Sequence, residues 1–216
     1  MKVAIIGPGA MGCLFAARLN AGGIKVYLVD HRADRAERLE KAGIVVEAGE
    51  KRLVEHPSVV THVPTGMDFA LVMTKAHATR HLRFPPETPI LSLQNGLGNV
   101  EALCGIAGSA RLMAGTTTEA STLIEEGHVR HAAAGTTTFG AWTSCPTDKA
   151  TEALRLAGFD VILTDTPGQQ IWEKVAINSG INPLTAILGV TNGKLLELTE
   201  TRQLMRDLVV EAAKVA

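Results

Sequence analysis

The sequence lacks any excess of positive charge. It carries 21 Lys and Arg against 22 Asp and Glu, a net charge of −1 over 216 residues, and no basic block interrupts it. A nucleic-acid backbone is therefore not an expected partner. It also lacks an apolar run approaching the roughly 20 residues of a membrane span. The apolar stretch in MKVAIIGPGAMG is short and ends in glycines, so a strand is expected there rather than a secretory leader. Cysteine is scarce. Cys13, Cys104 and Cys145 are scattered, odd in number and form no CxxC, which excludes a disulfide framework and points to a reducing cytoplasm. No further ligands stand at metal spacing beside His77 and His81, so a solvated helix face is expected there and no metal site. His128 and His131 fall in an expected strand and receive no role. No internal repeat or low-complexity tract is present.

What the sequence does have is apolar residues in alternating packets. It is 46% hydrophobic and 20% charged, enough for a sizeable core. KVAII, KVYLV, DFALVMT, PILSL and RLMAGTTT read as strands, and DFALVMT is apolar throughout, as a strand buried on both faces is. Helical spacing runs over residues 10–20, 33–42, 99–104 and 147–157, with Gly22-Gly23 and Gly43 as stops. IVVEAGEKRLVE reads as a hairpin. GHVRHAAAGTTTFGAW reads as an antiparallel pair at the sheet edge, and FDVILT as a last strand. Alternating strands and helices predict an α/β fold, a Rossmann-type doubly wound, mainly parallel sheet. Beyond Pro167-Gly168 the pattern is helical, with one long helix over 169–190 interrupted by Pro183 and one or two more over 195–216. The expected division is a dinucleotide-binding domain over 1–167 and the start of a helical domain over 168–216.

Gly7-Pro8-Gly9-Ala10-Met11-Gly12 is a GxGxxG between an expected strand and an expected helix, the context in which the pattern has mechanical meaning. The first glycine makes the turn, the second admits a pyrophosphate, and the third lets the helix pack on the strand. The helix N-terminus then faces the anion. The second strand ends in LVDHRADR, and its ligand signals conflict. Asp30 suits a free ribose 2′-hydroxyl and hence NADH, or is a solvated strand-end residue. Arg32, with Arg35 nearby, suits the 2′-phosphate of NADPH.

Lys174, Asn178 and Asn182 recur every four residues, a drift of about 40° per step along one helical stripe. Ile171, Trp172, Val175, Ile177, Ile181, Leu184 and Ile187 surround them. An amine and two amides in an apolar helix imply a buried, hydrogen-bonded row that a polar ligand can complete. Pro183 is expected to kink the helix beside Asn182 and to free backbone groups. Lys75 and Asn95 follow strands, at the carboxyl ends where ligands of this fold class bind.

The sequence resembles the ketopantoate reductase family. The resemblance rests on GPGAMG at 7–12, LVMTKA at 71–76, QNGLGN at 94–99, GTTTEAS at 115–121 and WEKVAINSGINPLTAILGVTNG at 172–193. It implies reduction of a small 2-oxo acid with NADPH on the pantothenate route. It further implies that Lys174 is the general acid, that Asn178 and Asn182 bind substrate, and that Asn192 lies near substrate. Asn95 is implied to contact cofactor and substrate, and Lys75 and Ser121 the cofactor. An arginine near the end of the second strand often reads the 2′-phosphate in the family, and His31 and Arg32 are the candidates here. A late serine and glutamate of the family have no counterpart, so the chain is expected to be C-terminally truncated relative to it. With few residues after the long helix, 169–216 is expected to self-associate. A related hydroxy-acid dehydrogenase and a non-catalytic dinucleotide-binding fragment are the competing readings.

Overall fold

A computed structural model describes residues 1–216. The first half alternates as the sequence predicts: β1 (Lys2–Ile6), α1 (Ala10–Ala21), β2 (Lys25–Val29), α2 (Ala33–Ala42), the hairpin β3 (Ile44–Ala48) and β4 (Lys51–Glu55), then β5 (Ser58–Val60), β6 (Phe69–Val72), β7 (Ile90–Ser92) and α3 (Asn99–Ala107). The second half holds β8 (Leu112–Thr117), β9 (Ala120–Glu125), β10 (His128–Ala133), β11 (Thr136–Ala141), α4 (Asp148–Leu156), β12 (Asp160–Leu163), α5 (Pro167–Leu188) and α6 (Thr199–Ala213). Eight strands form one sheet in the order β12-β11-β8-β7-β6-β1-β2-β5. Its central pairings are parallel, and β11 runs antiparallel to β8. Strand order reverses between β1 and β6, the switch point at which ligands of open α/β sheets bind. No helix is long and apolar enough to cross a membrane.

A second, four-stranded sheet, β4-β3-β10-β9, covers α1 from the other side. This corrects one expectation. Residues 128–133 and 136–141 do not pair with each other. They form one arm of a bent ribbon whose other arm is 112–125, turning at Glu126-Gly127, where Gly127 has φ +77°. The bend occurs where Gly135 crosses Thr118. A Cβ on Gly135 would lie 2.3 Å from the Thr118 carbonyl carbon, and Thr118 N–H donates to the Thr136 carbonyl at 2.9 Å. The glycine therefore carries the strand from one sheet to the other instead of turning it back.

The core has two parts on opposite faces of the large sheet. One joins Val3, Ile5, Leu14, Phe15, Leu28 and Phe139 around α1, and the other joins Ile6, Val72, Leu103, Leu112 and Ile171 under α3 and α5. α1 is buried over nearly all of residues 12–19 because both sheets enclose it. α5 starts with Pro167 at its first turn, where the missing N–H is harmless, and ends at Gly189 in the left-handed conformation. It continues through Pro183 as one helix, so the expected kink gives no break. α6 crosses it closely: a Cβ on Gly180 would lie 2.8 Å from a Val209 methyl.

Candidate active site

The strand register aligns the candidate residues. Ile6 is level with Val29 and Val72, Val72 with Ser92, and Ser92 with Ala114. Three residues beyond this level stand Gly9, Arg32, Lys75, Asn95 and Thr117. The five segments leave the carboxyl edge in the lateral order β8, β7, β6, β1, β2. At a strand spacing of about 4.8 Å the row is about 19 Å long.

Gly7 sits at φ +102° and its N–H donates to the Val29 carbonyl at 3.1 Å. A Cβ there would press on Thr74 at 2.9 Å, and one on Gly12 would lie 2.0 Å from the Gly7 carbonyl oxygen. A Cβ on Gly9 would meet nothing within 4 Å. Pro8 is buried, while Ala10 and Met11 are half-buried. The first helical bond of α1 runs from Cys13 N–H to the Gly9 carbonyl at 2.9 Å. The N–H groups of Ala10, Met11 and Gly12 therefore have no intrahelical acceptor and border the open space over Gly9. That combination fits a pyrophosphate. Cys13 follows directly, but burial pushes its thiol up to about 12, which keeps it unreactive.

At the end of β2, Asp30 is buried, which corrects the solvated reading. It pairs with Arg35, and Arg32 turns its guanidinium to Asp34 at 2.7 Å. Lys75 is exposed after β6. Asn95 is exposed too, on a loop braced from below: Asn99 Nδ2 donates to the Asn95 carbonyl at 3.1 Å, and Thr79 Oγ1 donates to Asn99 Oδ1 at 3.1 Å. Gln94 Nε2 joins in by donating to Thr79 Oγ1 at 2.8 Å.

Lys174 reaches this edge from α5. Its Nζ donates to the Thr117 carbonyl at 2.5 Å, and burial holds its pKa below the ordinary lysine value. The rest of the stripe differs from expectation. Asn178 is half-buried and Asn182 exposed; the Asn182 backbone carbonyl accepts from Thr185 Oγ1 at 3.0 Å, while its side-chain amide bonds no protein group. Apolar neighbours are a poor guide to depth here, because two of them are themselves uncovered: Ile177 is 53% and Ile187 79% exposed. Asn192 is exposed in the 3₁₀ turn after α5. Ser121 lies on β9, four residues past Thr117, with its hydroxyl on the Arg130 carbonyl at 3.2 Å.

Sequence reasoning missed Glu119. Its side chain is 2% exposed and held by Arg18 at 3.3 Å and His131 at 2.5 Å. Arg18 also donates to the carbonyls of Ala157 and Gly158 and lies 3.8 Å over the Phe159 ring. The one signal is a lone acid inside the otherwise uncharged stretch 112–124. A hollow of about 610 Å³ lies between α4 and β12 and involves no residue of the row.

A glycine turn at a switch point and a desolvated lysine at the same edge define a dinucleotide-dependent oxidoreductase. The chain belongs to the ketopantoate reductase family: residues 3–144 match ketopantoate reductase PanE/ApbA, and residues 168–216 match its C-terminal part. It is 33% identical to the 2-dehydropantoate 2-reductase of Halobacterium salinarum, over 100% of this chain and 75% of that protein. The crystal structure of 2-dehydropantoate 2-reductase from Geobacter metallireducens matches with a TM-score of 0.86 at 31% identity, over 98% of this chain and 74% of the other. D-mandelate dehydrogenase in its ternary structure with NADH shares the fold, with a TM-score of 0.89 at 24% identity over 100% and 73% of the two chains. The chain is thus an NAD(P)-dependent oxidoreductase of the 2-dehydropantoate 2-reductase type.

Proposed function

We propose that the chain reduces 2-dehydropantoate to pantoate with NADPH, with Lys174 as the general acid. The observation that carries this reading is the Lys174 ammonium, desolvated and held by the Thr117 carbonyl at the edge where the glycine turn opens. Gly7 to Gly12 cradle the pyrophosphate, and Arg32 meets the 2′-phosphate. Lys75 and Asn95 contact the cofactor along the row, and Ser121 contacts it from β9. When bound, the nicotinamide supplies the hydride that adds to the substrate carbonyl carbon. Lys174 hydrogen-bonds the carbonyl oxygen, stabilises the negative charge that grows there and transfers the Nζ proton to it. Asn178, Asn182, Asn95 and Asn192 supply amides to the remaining substrate oxygens and fix its orientation. The free amides of Asn178 and Asn182 support this role.

The proposed division is a dinucleotide-binding unit over 1–167 and a helical unit from 168. Sixteen large apolar side chains are exposed, among them Ile187, Leu196, Leu198 and Val215 on the helical segment. Such surface supports self-association there. Three unpaired cysteines support a reducing cytoplasmic setting. The test is NADPH oxidation monitored with 2-dehydropantoate and with a panel of other 2-oxo acids. Turnover strongest with 2-dehydropantoate is expected, and a stronger reaction with another 2-oxo acid would replace the assigned substrate.

A further inference from the structure

Asp30 occupies the position from which a carboxylate accepts hydrogen bonds from an unphosphorylated ribose. Here that carboxylate is occupied. Its side chain has no exposed surface. Oδ1 accepts the Arg32 backbone N–H at 3.1 Å and lies 3.6 Å from His31 Nδ1. Oδ2 is paired with Nε of Arg35, which reaches back from the first turn of α2. The Arg35 side chain is 29% exposed, so the guanidinium paired with Asp30 still reaches solvent. Arg32 makes no side-chain contact with Asp30. Its side chain is 53% exposed and its guanidinium rests on Asp34, which Arg38 shares at 3.2 Å.

We propose that Arg35 is a specificity-determining residue that acts by masking Asp30. Its guanidinium removes the carboxylate as an acceptor for a ribose diol and cancels the charge that would repel a 2′-phosphate. One strand end thus holds a residue suited to NADH and a neighbour that silences it, leaving the exposed Arg32, held only by the exposed Asp34, to meet the phosphate. The proposal deepens the NADPH reading and rests on dinucleotide binding at the glycine turn. Unmasking Asp30 leaves an unpaired carboxylate at the strand end where the 2′-phosphate would be held. At the effective dielectric of a protein surface that repulsion lowers phosphate affinity by roughly tenfold or more.

Calorimetric titration of NADPH and NADH tests it, using the whole chain and the variants Arg35→Ala, Arg35→Gln, Asp30→Asn and Asp30→Asn/Arg35→Ala. Circular dichroism selects whichever Arg35 variant folds. The unmasked variant should lose NADPH affinity at least tenfold, with NADH affinity unchanged or improved. Asp30→Asn alone should keep NADPH affinity, and the double variant should recover most of the loss, because no carboxylate remains to mask. Equal losses for both cofactors would make Arg35 a merely structural residue. An NADPH loss as large in the double variant as in the single one would make it a direct phosphate ligand. Either outcome overturns the masking role while leaving the dinucleotide site intact, as would a wild-type chain that prefers NADH. A wild-type chain that binds neither cofactor would overturn the dinucleotide reading, and the mask with it.

Discussion

Lys174 Nζ and the Thr117 carbonyl oxygen lie 2.5 Å apart, joining the helix that follows the sheet to the carboxyl end of a sheet strand. The bond uses one of three ammonium protons, and the other two remain for a substrate oxygen. Lys174→Ala should lower kcat by roughly 10²–10⁴-fold, the range for lost acid catalysis, with NADPH affinity nearly unchanged in calorimetry. A variant with wild-type kcat would assign the lysine to packing.

Burial lowers the Lys174 pKa, and in the proposed reaction the protonated amine is the acid. The rate should therefore be constant at low pH and decline as pH rises through a value below the ordinary lysine 10.5. Linkage gives the matching sign for stability. A lysine with a lowered folded pKa is charged at a penalty in the fold, so its contribution improves as pH climbs from the folded pKa to the ordinary one. A kcat–pH profile compared with that of Lys174→Arg checks the first statement, because the arginine variant has no titrating group there.

Gly9 and Gly12 should fail differently. Gly9→Asp should fold with wild-type thermal stability, since nothing surrounds that position within 4 Å, and should lose dinucleotide binding because a carboxylate fills the pyrophosphate space. Gly12→Ala places a Cβ 2.0 Å from the Gly7 carbonyl oxygen and should lower the melting temperature itself. Unchanged NADPH affinity in Gly9→Asp would remove the pyrophosphate from residues 7–12.

Arg32→Ala should weaken NADPH binding much more than NADH binding. Its side chain is exposed and anchored only by an acid at its own helix start, so the fold loses little. Equal losses for the two cofactors would show that Arg32 does not read the 2′-phosphate.

Glu119→Ala should destabilise the chain by about 3 kcal/mol, as removal of one partner from a buried ion pair does. It leaves Arg18 and His131 facing each other without the intervening carboxylate. Denaturant unfolding measures the effect, and a change under 1 kcal/mol would reduce the trio to a surface contact.

Self-association through 169–216 should appear as a mass above that of one chain in light scattering. Leu198→Glu, at a side chain 60% exposed, should return the mass to a single chain without unfolding it. A wild-type chain that is already monodisperse and monomeric would remove the proposal.

The phosphate turn and parallel strands were legible because their signals are local: FALV is buried at every position, and the positive φ of Gly7 and the close approach of Gly12 to the Gly7 carbonyl both fall inside GPGAMG. The bent ribbon was not legible. Its pairing joins residues up to 28 apart, such as Met113 and Ala141, and the sheet change depends on Gly135 meeting Thr118 across that gap. The Lys174 stripe was legible as a row of polar groups but not in its depth. Periodicity locates the face of a helix, while burial depends on what packs against it, and only part of α5 is covered. Asp30 was read as a ligand or a solvated residue because nothing in LVDHRADR indicates which arginine folds back upon it. The Glu119 trio draws on α1, the β8–β9 turn and β10, and no window of sequence contains all three.

The level exit of five strands has a consequence for the kinds of change the protein tolerates. The strand ends from which the row starts are fixed by hydrogen-bond register, so exchanging one β-branched side chain for another inside β1, β6 or β7 leaves them where they are. Losing or gaining a single codon's worth of residue in any of these strands does not. It shifts one member of the row by about 3.3 Å and turns the strand's outward side chains inward. Among natural descendants, point replacements should accumulate freely in these strands, while length changes should be confined to the connections on the opposite edge of the sheet.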